Sequence, residues 1–232
     1  MLVPLRRLGE AKSRLAGMFR PAERAELVQA MLADVLAAVG AARCAAAVTI
    51  VSSEPAAEVV ARAHGVGWWD DRGLLWNDAL AAVMRELVTE PIAAVVSADI
   101  PLVTAADVDE LVIVTPRRGI AVARATDGGT NAVSLRPPAV LETCFGAAGS
   151  ARLHVERARA LGLAAVLVDR AGLALDVDTP EDVERLLATG RPTRTASLLS
   201  LALAREVYPR KMLRIFRGTD LSRRSAREDV GR

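Results

Sequence analysis

Residues 92–112, IAAVVSADIPLVTAADVDELV, decide the fold. The run IAAVV is apolar throughout, as a strand covered on both faces should be, and it ends on Ser97, Ala98 and the acid Asp99. Ile100 and Pro101 then stop the chain from continuing as sheet. Thr104 and Asp107 stand three residues apart at the head of TAADVDELV, the spacing of a capping box that opens a helix. A buried strand, an acid at its carboxyl end and a capped helix together make one unit of a parallel α/β sheet.

Outward from that unit the same alternation repeats. MLVPL opens as a strand, and PAERAELVQAMLADVLAAVG starts a helix at Pro21 with Leu27, Met31, Val35 and Val39 on one stripe. AAVTIVSS reads as a buried strand, EPAAEVVARAHG as a helix ended by Gly65, VGWW as a short strand entering the DDRG turn, and NDALAAVMRELV as a helix. After residue 118 two strand-like runs surround DGGT. A helix from about Gly149 follows, then strands in AAVLVDR and LALDVDT, and a closing helix over TPEDVERLL. Strands alternating with helices predict right-handed βαβ units: a Rossmann-like doubly wound, mostly parallel sheet with an inserted β-hairpin region that walls a substrate pocket. The expected organisation is one domain over residues 1–190 and a basic, partly disordered extension over 191–232.

Composition narrows the function. With 232 residues and 52% hydrophobic side chains the chain can bury a sizeable core, yet charges interrupt every apolar run before the roughly 18 residues a membrane span requires. Met1 leads straight into a strand, so a cytoplasmic protein with no membrane partner is expected. Cys44 and Cys144, like His64 and His154, lie at no metal-ligand or disulfide spacing and read as packing residues. The net charge of +2 is uneven: residues 1–188 carry 19 basic and 24 acidic side chains, and 189–232 carry 11 and 4. A nucleic-acid partner would have to use that tail, but aromatics are only 3% of the chain and the larger part is net acidic, so nucleic acid is not the expected ligand. A homodimer is left open.

In an open α/β sheet ligands bind beyond the carboxyl ends of the strands, and three polar segments fall there. LRRLGEAKSRL (residues 5–15) brings Arg6, Arg7, Lys12 and Arg14 to a strand-to-helix connection, either as a cradle for a triphosphate or as a solvated basic loop. Lys12 and Lys211 are the only lysines among 30 basic residues. SADIPL (97–102) offers Asp99 as an oxygen ligand for a hard divalent cation or as a turn aspartate. LALDVDTPED (173–182) puts Asp176 and Asp178 on either side of Val177, on one face if the segment is a strand. A metal would relieve their repulsion, with Asp176 as ligand and Asp178 in support; Asp178 could also be a helix cap.

These residues resemble a family, the CofC/FbiD guanylyltransferases of coenzyme F420 biosynthesis, relatives of the MobA-like nucleotidyltransferases. The resemblance rests on VPLRRLGEAKSRL, AERAELVQAMLADVL, SADIPL, GGTNA followed by FGAAGSARLH, and GLALDVDTPEDVERL, in that order over residues 1 to about 188. It implies transfer of GMP from GTP to phosphoenolpyruvate, 2-phospho-L-lactate or 3-phospho-D-glycerate, with release of pyrophosphate. It also implies Mg²⁺ on Asp99 and Asp176, catalytic work for Lys12, and a triphosphate near Arg6, Lys12 and Arg14. By the same resemblance the nucleoside lies near Asn77, and the acid lies against Asn131, Gly146, Gly149 and Ser150. Several positions depart from the family's usual form: Arg6 stands where lysine is common, Asn131 where threonine is frequent, FGAAGS where FGPGS is usual, and DDRGLLWNDAL is less glycine-rich. The alternatives are a MobA-like enzyme with another acceptor, against which the absence of a GGxGTR start speaks, and a catalytically silent nucleotide-binding protein.

Overall fold

The computed structural model describes residues 1–5 and 12–204. The strands are β1 (Leu2–Pro4), β2 (Thr49–Val51), β3 (Gly67–Trp69), β4 (Ala93–Val96), β5 (Gly119–Arg124), β6 (Thr130–Arg136) and β7 (Ala164–Val168). The helices are α1 (Pro21–Ala41), α2 (Pro55–His64), α3 (Trp76–Glu86), α4 (Ala105–Ile113), α5 (Ser150–Ala160), α6 (Ala171–Ala174) and α7 (Pro180–Ala188), and Ser13–Leu15 form one 3₁₀ turn. The strands make a single sheet in the order β3-β2-β1-β4-β6-β5-β7. All run parallel except β6, which pairs antiparallel with both β4 and β5. The hairpin expected around DGGT is therefore β5–β6, built into the sheet.

Alternation along each strand divides the apolar side chains between two faces. Val3, Val96, Ala121, Ala123 and Ala132 join a core with α1, α2, α4 and α7. Leu2, Val95, Ile120, Val122, Val133 and Leu135 join a second core with α3 and α5. On α1, Leu27, Met31, Val35 and Val39 are all buried, as their spacing predicts. Each such side chain contributes about 1.5–3 kcal/mol of burial, and truncating the fully buried Met31 to alanine would cost about 2–5 kcal/mol once the cavity is included. Thr104 and Asp107 form the capping box of α4, and Thr179 and Asp182 that of α7.

Beyond residue 190 the chain does not leave the domain at once. Residues 194–204 are helical, with Leu199 in the first core. Asp34 on α1 caps that helix, accepting from the N–H groups of Arg194 and Thr195 (both 2.9 Å) and from Thr195 Oγ1 (2.6 Å). Residues 205–232, which hold most of the basic extension, lie outside the described residues. Among the described residues no helix is long and apolar enough to cross a membrane.

Candidate active site

The site follows from the strand order. β1 continues to β2 and β3 on one side and β4 lies on the other, so the crevice between the ends of β1 and β4 is the switch point where a doubly wound sheet binds its ligand. Lys12 arrives there after β1 and Asp99 after β4. The one reversed strand begins where its neighbour ends: Ser97 donates to the carbonyl of Asn131, 2.8 Å away, so Asn131 sits beside the β4 terminus.

Residues 171–179 supply the remaining acids, but not as the strand expected from LALDVDT. Residues 171–174 are the short helix α6, and residues 175–178 are irregular. The reason is position: the segment crosses beyond the end of β4, where no ladder remains to join, and Val177 donates instead to the carbonyl of Asp99 (3.1 Å). Val177 is fully buried and Asp176 and Asp178 still flank it. The segment is fixed from behind. Arg170 Nε bonds Asp107 Oδ1 (2.9 Å) and its Nη1 meets Glu110 (3.0 Å), while Gly172 packs so closely that a Cβ would lie 2.1 Å from Asp107 Oδ2 and 2.8 Å from the Leu102 carbonyl.

Lys12 holds the centre. Its side chain is only 7% exposed, and its ammonium donates to Asp99 Oδ2 (2.7 Å) and to Asp178 Oδ1. Burial alone would lower its pKa, but the two carboxylates outweigh burial and raise it, so Lys12 is charged. Asp176 differs: burial first, then the charges of Asp99 and Asp178, push its carboxyl up to about 6. Asn131 Nδ2 donates to the Leu173 carbonyl (3.0 Å) and lies 3.4 Å from Asp176 Oδ1. Arg14 is exposed on the 3₁₀ turn. Arg6, expected at the triphosphate, lies outside the described residues, as does Arg7.

Three of the four residues expected at the acid, Gly146, Gly149 and Ser150, form a second cluster, around the turn before α5. Gly149 takes φ 64°, ψ 33° as the residue preceding that helix, a left-handed conformation that glycine adopts without penalty, and Gly146 lies in the same turn. Ser150 is buried, and its hydroxyl donates to Thr130 Oγ1 (3.0 Å). Asn77, expected near the nucleoside, holds this turn. Its Nδ2 donates to the Phe145 carbonyl (3.0 Å), and its Oδ1 accepts from Phe145 N–H and Thr143 Oγ1 (both 2.9 Å). His154, read from sequence only as a packing residue, accepts the Cys144 N–H on Nε2 (3.0 Å), which leaves the proton on Nδ1 facing the Ser150 carbonyl (2.8 Å). The available signal was its position four residues after Ser150 on one helix face. Lys12, Asp99, Asp176, Asp178 and Asn131 thus come together, and Asn77, Gly146, Gly149 and Ser150 gather around the neighbouring turn.

Whether this site suits a divalent cation can be judged from its charges. Among the described residues no three metal-ligating side chains converge on one point. Magnesium, however, takes only one or two protein carboxylates and fills its shell with phosphate oxygens and water. Asp176 lies beside Asn131 and is not bonded to the ammonium, which is taken up by Asp99 and Asp178, so a carboxylate is open to such an ion and the donor set fits.

Residues 1–216 match the family described as guanylyl transferase CofC like. The chain is 42% identical over 196 residues to the phosphoenolpyruvate guanylyltransferase of Sphaerobacter thermophilus, covering 80% of this chain and 90% of that protein. It is 38% identical over 198 residues to the 3-phospho-D-glycerate guanylyltransferase of Phenylobacterium zucineum, covering 82% and 90%. It is likewise 38% identical over 178 residues to the 2-phospho-L-lactate guanylyltransferase of Haloarcula marismortui, covering 76% and 79%. Its fold is similar to that of a nucleotide-diphospho-sugar transferase from Desulfovibrio desulfuricans, with a TM-score of 0.74 at 20% identity over 88% of this chain and 94% of that one. With the family match running through residues 1–216, the chain belongs to the CofC-like guanylyltransferase family.

Proposed function

We propose that this guanylyltransferase transfers GMP from GTP to a small phosphorylated carboxylic acid and releases pyrophosphate, a step in the assembly of coenzyme F420. Phosphoenolpyruvate is the first acceptor to test, because the relative at 42% identity is named for it; 2-phospho-L-lactate and 3-phospho-D-glycerate follow. The observation that carries this reading is the meeting of Lys12 with Asp99, Asp178 and Asp176 at the switch point of the sheet. An ammonium beside a group of acids suits chemistry in which polyanions must be brought together.

The acceptor's phosphate oxygen is already anionic, so it can attack the α-phosphorus of GTP without a general base. A new P–O bond forms there, the bond to the bridging oxygen of the β-phosphate breaks, and pyrophosphate departs with the electron pair. What the chain must supply is position and charge. Lys12, with Arg6 and Arg14 nearby in sequence, would stabilise the departing pyrophosphate, and Asn77, whose amide bonds Phe145 and Thr143, would act by holding the neighbouring turn. Asn131 and the turn containing Gly146, Gly149 and Ser150 would bind the acid through backbone N–H groups and small side chains. Asp99 and Asp176 would hold Mg²⁺, which when bound neutralises phosphate charge and polarises the α-phosphoryl group.

Pyrophosphate release from GTP, run with each acid in turn and with ATP as a control, tests the reading. Turnover with one acid supports it and names the substrate. Silence with all three despite GTP binding would refute it. Asp99→Ala and Asp176→Ala should each lose about 10³-fold or more in kcat with the fold intact.

A further inference from the structure

The proposed chemistry makes two claims on Lys12. A cation on Asp99 and Asp176 needs the lone pairs of Asp99, yet the Lys12 ammonium already donates to Asp99 Oδ2 at 2.7 Å and bonds Asp178 as well. The arrangement is built in. Lys12 adopts a left-handed backbone conformation, φ 56° and ψ 41°, that a side chain with a Cβ seldom takes, and this precedes the 3₁₀ turn anchored by the fully buried Leu15. The side chain is thereby buried toward the acids, while Arg14 on the turn that follows is exposed. Asp178 in turn is held by α7, its N–H donating to Asp182 Oδ2 (3.2 Å).

We propose that Lys12 is a tethered counter-cation: it keeps the free enzyme from taking up the divalent cation alone and releases Asp99 only when a nucleoside triphosphate is present. The inference rests on the metal reading of Asp99 and Asp176. In the free enzyme an entering cation would have to separate a buried ammonium from one of its two carboxylates and lie beside that positive charge, which is unfavourable. A bound triphosphate changes both sides of that exchange. Its oxygens complete the cation's shell and offer the ammonium a new anionic partner, so neither charge is stranded. Cation and nucleotide therefore bind with positive coupling, and each raises the affinity of the other by the same factor.

The test is Mn²⁺ binding to the full chain, followed by the electron paramagnetic resonance signal of free Mn²⁺, without nucleotide and with GTP in the absence of acceptor, the latter read against the same GTP without protein because GTP itself binds Mn²⁺. Wild type should bind Mn²⁺ weakly alone. Lys12→Met should bind it about tenfold more tightly or better without nucleotide, because one positive charge beside the ligands has gone. Lys12→Gln, whose amide can still donate to a carboxylate, should behave the same way if charge is the cause. Adding Asp99→Asn to Lys12→Met should abolish the gain. Equal nucleotide-free affinity in wild type and both Lys12 variants, with unchanged circular dichroism, overturns the inference while leaving the metal reading intact. A gain that survives Asp99→Asn also overturns it, because the ion is then elsewhere. Failure of every protein to bind Mn²⁺ even with GTP overturns the metal reading and this inference together.

Discussion

Protonating His154 should unfasten the turn before α5, and the size of the effect can be worked from its contacts. The ring is buried, with Nε2 accepting the Cys144 N–H (3.0 Å) and Phe145 packed edge-on at 5.4 Å. A proton on Nε2 would face that N–H donor, and the charge would sit in a dry site near Arg157. Burial is the main cause, and Arg157 adds to it, of a pKa held down at about 4 against an ordinary 6.5; the bond to the Ser150 carbonyl acts the other way. The folded value lies below the unfolded one, so the unfolded chain binds the extra proton. The stabilising contribution is complete above the unfolded pKa and is lost as pH falls from about 6.5 toward 4. Linkage puts the whole contribution at about 3 kcal/mol, of which about 2 kcal/mol disappears between pH 7.5 and pH 5. The assay is urea denaturation at those two pH values for wild type and His154→Gln. Asp176, raised to about 6, titrates in the same window with the opposite sign, so only the difference between the two proteins isolates His154. Wild type should lose about 2 kcal/mol more than His154→Gln. Equal losses in both would refute the reasoning.

Three further outcomes are expected. Asn77→Ala leaves the Phe145 N–H and the Thr143 hydroxyl without their acceptor, so it should cost about 1–3 kcal/mol in denaturation and raise KM for the acid more than KM for GTP. The reverse split in KM would return Asn77 to the nucleoside. Gly172→Ala forces a methyl against Asp107 and the Leu102 carbonyl; a loss of about 1–3 kcal/mol and a fall in kcat are expected, and an unchanged melting temperature would count against the close approach. Asp34→Ala removes the cap from helix 194–204, which should cost about 1 kcal/mol and speed tryptic cleavage after Arg194; an equal cleavage rate would show the helix to be held by Leu199 alone.

The sheet was legible because its strands announce themselves twice, by apolar runs and by the capped helices behind them. Thr104 with Asp107 and Thr179 with Asp182 mark helix starts from side-chain chemistry alone. The hairpin around DGGT implied one reversed strand, but that β6 is the reversed one and lies between β4 and β5 was not readable, because an apolar strand looks the same in either direction. LALDVDT misled for a related reason: alternation of apolar and acidic residues predicts which side chains share a face, and Val177 is indeed buried between two acids, but it does not say whether a ladder is present to join. Lys12, Asp99 and Asp176 could be picked out as polar residues after apolar runs. That the ammonium would bond Asp178 across 166 residues could not, since a partner so distant is fixed only by the completed sheet. Asn77 and His154 were obscured because both act on backbone groups of residues 144–145, and backbone groups leave no mark in a sequence.

The reversed strand bears on how such an enzyme can diversify. β4 and β6 meet along a seam of four residue pairs, from Ala93–Leu135 at one end to Val96–Ala132 at the other. That seam joins the half of the chain carrying Lys12 and Asp99 to the half carrying Asn131, Asp176 and the turn before α5. A slip of one residue would exchange the two faces of β6 and unpack both cores at once, so the seam cannot drift. The turns beside its Val96–Ala132 end are not bound by that register: residues 125–129 and 143–149 belong to no pair in the ladder, and they can change as long as the bonds from Asn77 and His154 are kept. Inheritance can thus hold the catalytic register constant while it rewrites the loops, and on the reading proposed here those loops are where one phosphorylated acid is told from another.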